Sequence, residues 1–336
     1  MANGTIVLHA DDFGMNEAVN RGIVQAFREG LLTSTSLLAN APAAELACSE
    51  WRQLLTEYGN STLPSLGIRR ELGEPPLPFD LGIHLNLTQG RPLTGDRYPT
   101  ALLNRDGIFP GIGTVFRRLM FANASTLKAV SFEFETQIEW MCNRGIQPTH
   151  LNGHQYVELI PKIATIIPSL LQRYSIPVIR VACEPALCQT VKFRGQASAW
   201  SLAFIKRCFA TNFRRRMQAT RAAFPDRFFG TAHAGRVDRE TLSLFLSRAI
   251  QGGTTEIGLH PGTNPEGAST SSNVDSELLE PARLESAWFD PLAKLRNHEL
   301  TWLCCPTLRD ELLQKQLRLG RLQSLPNVKV LNRRER

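Results

Sequence analysis

Short β-rich runs alternate with amphipathic helical stretches along the chain, and four of the runs end in polar clusters, at 11–12, 84–86, 152–154 and 260. That order restricts the fold more than any other feature. Strands alternating with helices are the pattern of a parallel sheet or barrel covered by helices. In α/β barrels the working face is the rim where the C-terminal ends of the strands meet. Four clusters delivered to one rim are what a catalytic site on such a fold requires.

The first unit reads plainly. Residues 5–10 (TIVLHA) form a strand that ends in Asp11-Asp12-Phe13-Gly14. Asn16 then caps a helix whose apolar positions Val19, Ile23, Ala26 and Phe27 recur every three to four residues, with Gly30 at its end. LTSTSLLANAP suggests a second strand, 43–57 a helix, and the Gly- and Pro-rich stretch 59–80 a loop. In LGIHLNL (81–87), Leu81, Ile83, Leu85 and Leu87 share one face, and Gly82, His84 and Asn86 the other. A helix at 127–145 precedes Pro148–His154. Further helices are expected at 160–173, 196–224, 239–252 and within 283–316, and strands at 176–182, 254–260 and 327–332.

Composition narrows the function classes. With 336 residues, 43% of them hydrophobic, the chain can bury a sizeable core. A charged share of 21% excludes a disordered or collagen-like chain. No apolar run approaches the roughly 18–20 residues that span a bilayer, so no transmembrane segment is expected. The start lacks a basic region followed by an apolar one, which argues against a secretory signal. Seven scattered cysteines without a C-x-x-C pair indicate neither a zinc ribbon nor a disulfide framework. A reduced, cytoplasmic protein is the expectation.

The net charge of +7 is unevenly placed, with Lys206, Arg207, Arg214, Arg215, Arg216 and Arg221 in one segment. It reads either as a contact for phosphate or an anionic lipid surface, or as the solvated face of a helix. In the second reading Trp200, Leu202, Phe204, Ile205, Phe209, Phe213 and Met217 supply the buried side. No nucleic-acid-binding motif accompanies it, so no nucleic-acid partner is expected, whereas peripheral membrane contact through this basic insert stays open.

Two adjacent carboxylates after an apolar strand are costly. Like charges about 4 Å apart oppose each other unless a cation or a proton intervenes. On an extended segment neighbours point opposite ways, so one of Asp11 and Asp12 could hold a metal while the other faces a substrate. The competing reading is a helix N-cap with first-turn acids. Among seven histidines, His84, His154 and His260 each stand at a strand end. An Asp with two His is a sound site for zinc, cobalt, manganese or magnesium, with positions left for water. His9, His233 and His298 have no such context and read as structural, while His150 could orient a ligand. Serine-hydrolase elbow, P-loop and complete dinucleotide-binding motifs are absent from the sequence.

The segments HADDFGMN (9–16), GIHLNLTQGRPL (82–93), PTHLNGHQYV (148–157) and TEIGLHPG (255–262) resemble, in this order, the YdjC-type carbohydrate deacetylases. That family includes chitooligosaccharide deacetylase and the hopanoid-biosynthesis-associated HpnK proteins. The resemblance implies a single α/β domain over 1–336, an incomplete or distorted (β/α) barrel of polysaccharide-deacetylase type. It implies one divalent metal ion, magnesium or zinc first and cobalt or manganese as alternatives, on Asp12, His84 and His154. Asp11 falls on the catalytic base, and His260 on an acid or oxyanion donor. Arg180 and Glu184 fall in a segment near the substrate, and His150 and Asn152 behind the ligands. The implied substrate is an N-acetylated sugar, and the family allows a homodimer. Asn152 replaces the family's usual Asp, and Tyr156 and Glu158 replace histidines. These departures keep open a non-catalytic sugar or lipid-headgroup binder, beside a metal-dependent hydrolase of another ester or amide.

Overall fold

A computed structural model describes residues 3–72, 79–185, 197–231, 233–264, 288–325 and 328. The elements run β1 (Gly4–Phe13), α1 (Glu17–Arg28), β2 (Ser34–Leu37), α2 (Ala44–Gly59), α3 (Leu66–Glu71) and β3 (Asp80–Leu85). Then come α4 (Ile112–Met120), α5 (Ala124–Cys142), β4 (His150–Gly153), α6 (Ile167–Arg173), β5 (Val178–Ile179), α7 (Ala197–Gln218) and β6 (Arg227–Phe229). The described chain closes with α8 (Arg239–Ser247), β7 (Thr254–Leu259), α9 (Arg296–Leu303), α10 (Pro306–Gln314) and β8 (Leu317–Leu319).

All strand pairings among the described residues are parallel, in the order β5-β4-β3-β2-β1-β7-β6, with β8 added beside the start of β1. The sheet curls into a half-barrel flanked by helices, so the incomplete (β/α) barrel is borne out. A single parallel bridge, Val178 to Ala223, links β5 to the residues that lead into β6.

Strand alternation decides what faces the inside of the curl. Ile6, Leu8 and Ala10 of β1 and Leu81, Ile83 and Leu85 of β3 join the main core cluster. Each fully buried side chain of this kind stabilises the fold by roughly 1.5–3 kcal/mol. Val7 points the other way, into a small cluster with Val178, Ala223, Leu322 and Leu325 that closes the bottom of the curl. His9 and Asp11 share its face. The inner face above that floor is therefore polar.

Several expectations are corrected. Part of the stretch 59–80 is helical, as α3. The helix expected over 160–173 is confined to Ile167–Arg173, with the 3-10 turns His154–Leu159 and Ile163–Thr165 before it. The region 283–316 splits at Cys304–Cys305 into α9 and α10, with Pro306 opening the second helix. Strands β6 and β8 went unread because three residues are too few to display an alternation. The strand expected at 327–332 lies outside the described residues, apart from Val328. On α7, Ala210, Phe213 and Met217 are buried, Lys206, Arg207 and Arg214 are half-buried, and Cys208, Arg215 and Arg216 face water, while the side chains of Trp200, Leu202, Phe204 and Ile205 lie outside the described residues. Among the described residues no helix is long and apolar enough to cross a membrane.

Candidate metal and catalytic centre

The polar clusters do meet at one rim. The pairing of β1 with β2 shifts register between Ala10 and Phe13, and within that irregularity Asp12 adopts φ 72°. Asp is one of the few residues other than Gly that enters the left-handed region without severe strain. Asn20 braces the following turn: its carbonyl accepts from Gly14 N at 2.7 Å, and its amide donates to Ala43 O at 3.1 Å. Asn16 caps α1 by accepting from Val19 N at 2.9 Å. The acidic pair thus belongs to the strand end, and the helix-cap reading of it falls away.

The problem of two neighbouring carboxylates is solved with one arginine for each. Arg180 Nη1 donates to both Asp11 oxygens at 2.8 and 2.7 Å, and its Nε donates to Glu256 at 2.8 Å. Arg296 Nη2 donates to Asp12 Oδ2 at 2.8 Å, while its Nε and Nη2 hold Asp290 at 2.7 and 3.0 Å. Both arginines are among the largest fully buried or nearly buried side chains. Burial pushes the Asp11 carboxyl up, but the charge of Arg180 above all outweighs it and holds the group well below the usual carboxylate range. Asp12 behaves alike, with burial opposed by Arg296 and His154. Both acids are ionised.

Asp12, His84 and His154 are all buried, and one donor atom of each lies within 4.8 Å of the others. Asp12 Oδ1 is 3.5 Å from His84 Nε2 and 3.0 Å from His154 Nδ1. His84 Nδ1 donates to Asn152 Oδ1 at 2.8 Å, which leaves the lone pair of Nε2 facing Asp12. One carboxylate oxygen and two imidazole nitrogens suit zinc and the other borderline divalent ions. The residues fit the ion that the sequence implies. Asn152 does more than hold a ligand, because its amide also donates to Asp11 Oδ1 at 3.0 Å. A neutral amide can bridge an imidazole N–H and a carboxylate, whereas a second carboxylate would repel Asp11.

His260 stands across from Asp11, with Nε2 3.7 Å from Oδ2 and Nδ1 without a partner among the described residues. Its backbone N–H is held by Glu299 at 2.5 Å, and burial first of all lowers its pKa. Arg180 and Glu184 do not lie open to a ligand. Arg180 is 1% exposed behind Asp11, and Glu184 accepts from the backbone N–H groups of Gly230 and Thr231. Their place is behind the base and behind the loop after β6. His150 lies deeper still: its Nδ1 meets Thr149 Oγ1 and its Nε2 meets His9 Nε2, each at 2.8 Å.

Sequence reasoning missed four participants. His9, read as structural, accepts from Arg180 Nη2 at 2.6 Å, and burial, then Arg180, push its pKa down to about 3. Its signal was the period of two that places it on the face of Asp11. Glu256 shared the same signal, since alternation along 254–260 places it on the face of His260, whereas Asp290 and Arg296 carried none. At the position of an expected histidine, Glu158 is wholly buried, both oxygens lacking partners among the described residues, and burial raises its pKa to about 8. Tyr156 adopts φ 61°, and Lys206 from the basic helix lies 5.5 Å from its ring centroid.

A family model described as YdjC-like protein matches residues 5–314. A carbohydrate deacetylase of Homo sapiens is 30% identical over 339 residues, covering 95% of this chain and 90% of its own. One from Geobacillus stearothermophilus is 33% identical over 172 residues, 51% of this chain and 58% of its own. A solved structure described as a cellobiose-phosphate cleavage protein from Enterococcus faecalis superposes with a TM-score of 0.64 at 19% identity, over 96% of this chain and 99% of that one. It shares the fold.

Proposed function

The chain belongs to the YdjC-like family, and on that premise we propose that it is a divalent-metal-dependent hydrolase that removes the acetyl group from an N-acetylated sugar. One observation carries the reading. A paired base and ligand, Asp11 and Asp12, each neutralised by its own buried arginine, stand with His84 and His154 at the rim of the half-barrel.

Asp12, His84 and His154 would hold the ion, which supplies polarisation of the amide carbonyl and a more acidic attacking water. Asp11 accepts the proton of that water. Arg180 keeps Asp11 ionised and fixes both of its oxygens, so the base is ready before substrate arrives. The carbon–nitrogen bond then breaks, and the amine nitrogen takes a proton. His260 delivers it, with Asp11 as the source 3.7 Å away. Asn152 keeps the base and His84 in register through its two hydrogen bonds.

The test is acetate release from a panel of N-acetylated sugars, including chitobiose and a glycosyl-lipid, with zinc, magnesium or cobalt added. Asp11→Asn should lower turnover by about 10²–10⁴-fold while the ion stays bound. His84→Ala should lose both. An Asp11→Asn protein with wild-type turnover refutes the mechanism, and sugar binding without acetate release moves the reading to a binding protein.

A further inference from the structure

Trp288 is an aromatic side chain beside the proposed ligands that the mechanism leaves unused. Its ring centroid lies 6.4 Å from that of His154, at an interplanar angle of 47°. The indole is partly buried against the core, so part of it remains open. Its Nε1 is buried and has no acceptor among the described residues.

The surroundings are arranged to hold it there. Gly90 adopts φ 72°, and a Cβ at that position would lie 2.5 Å from Trp288 Nε1. Only glycine admits the indole so close to the backbone. The Gly90 turn is itself rigid, because Asn40 and Asn86 both donate to Gln89 O, at 3.1 and 2.8 Å. On the other side, Arg296 grips Asp290, two residues beyond Trp288, with the same guanidinium that grips Asp12. The indole and the proposed ligand are thus fixed relative to each other through one side chain.

A flat, apolar, locked ring beside a polar centre is what holds a sugar, whose pyranose ring offers a face of C–H groups above its ring of hydroxyls. We propose that Trp288 is the specificity-determining platform of the site, on which a substrate pyranose stacks with its acetamido group directed toward His154 and Asp11. This deepens the deacetylase reading and rests on it.

The experiment measures kcat and KM for N,N′-diacetylchitobiose with zinc-loaded wild type, Trp288→Ala and Trp288→Phe, beside zinc affinity and melting temperature for each. Trp288→Ala should raise KM about tenfold or more with kcat within about twofold, and Trp288→Phe should recover most of the loss. Zinc affinity should stay put in both. An unchanged KM overturns the platform, and so does a KM loss matched by an equal loss of zinc affinity or a collapse of the melting temperature, which would make Trp288 a support for His154. If wild type releases no acetate from any sugar, the deacetylase reading falls, and chitobiose binding by calorimetry takes over. Binding lost in Trp288→Ala upholds the platform, while equal binding in both proteins, or none in wild type, refutes it.

Discussion

Replacing Arg180 by Met tests whether the paired charges beneath the site act as one unit. The guanidinium is 1% exposed and serves Asp11, Glu256 and His9, while its carbon lies 5.0 Å from the centroid of the Phe228 ring. Met fills most of the volume but leaves two buried carboxylates without their cation. Removing one partner of a buried ion pair costs about 3–5 kcal/mol. At about 2.1 cal/mol/K of unfolding entropy per residue, 336 residues give about 0.7 kcal/mol/K, so the melting temperature should fall by about 4–7 °C. Adding Glu256→Gln removes one of the stranded charges. The double variant should therefore melt above Arg180→Met, although Glu256→Gln in the wild-type background should lower stability by removing one partner of the buried ion pair. That inversion of sign is coupling between residues in contact. Acetate release should stay low in both Arg180 variants, because Asp11 has lost its clamp. Scanning calorimetry of the four proteins decides the matter. An Arg180→Met melting temperature within about 1 °C of wild type, or a double variant that melts below it, refutes the reasoning.

Two further outcomes follow from single contacts. Gly82→Ala places a Cβ 2.3 Å from His150 Nε2 in the middle of β3, so overpacking should cost about 1–3 kcal/mol and disturb the His9–His150 contact; a wild-type melting temperature would show that the imidazole has room to withdraw. Burial raises the carboxyl of Asp80 to about 6 from 3.8, against the pull of Arg321. The folded state thus prefers the protonated acid, and this stabilisation is complete below pH 3.8 and lost as pH rises through about 6. Asp80→Asn should accordingly gain on wild type as pH rises across that window. A constant difference in melting temperature across it would contradict the sign.

What was legible in the sequence was whatever repeats locally. The alternation in LGIHLNL placed His84 opposite the core-facing Leu81, Ile83 and Leu85, and the structure has it so. The helix after Asp11-Asp12 was marked by Asn16 and its spaced apolar residues. The neutralising charges could not be read, because Arg296 meets Asp12 across 284 positions and Arg180 meets Asp11 across 169. Such pairs leave no periodic trace, and a lone Arg in a helical stretch resembles any solvated one. The assignment of Arg180 and Glu184 toward the substrate came from their segment rather than from partners, and the partners turn them inward. His9 was within reach, since alternation along β1 puts it with Asp11 inside the curl.

The left-handed backbone at Asp12 limits how this centre can be remodelled. Glu or Cys at position 12 would meet a penalty of roughly 1–2 kcal/mol that Asp, Asn and Gly largely escape. Of those three, Asp alone offers a charged oxygen. A softer or bulkier donor set must therefore be sought at His84 or His154, neither of which has positive φ. The oxygen corner is set by the main chain, and only the two nitrogen corners are open to redesign.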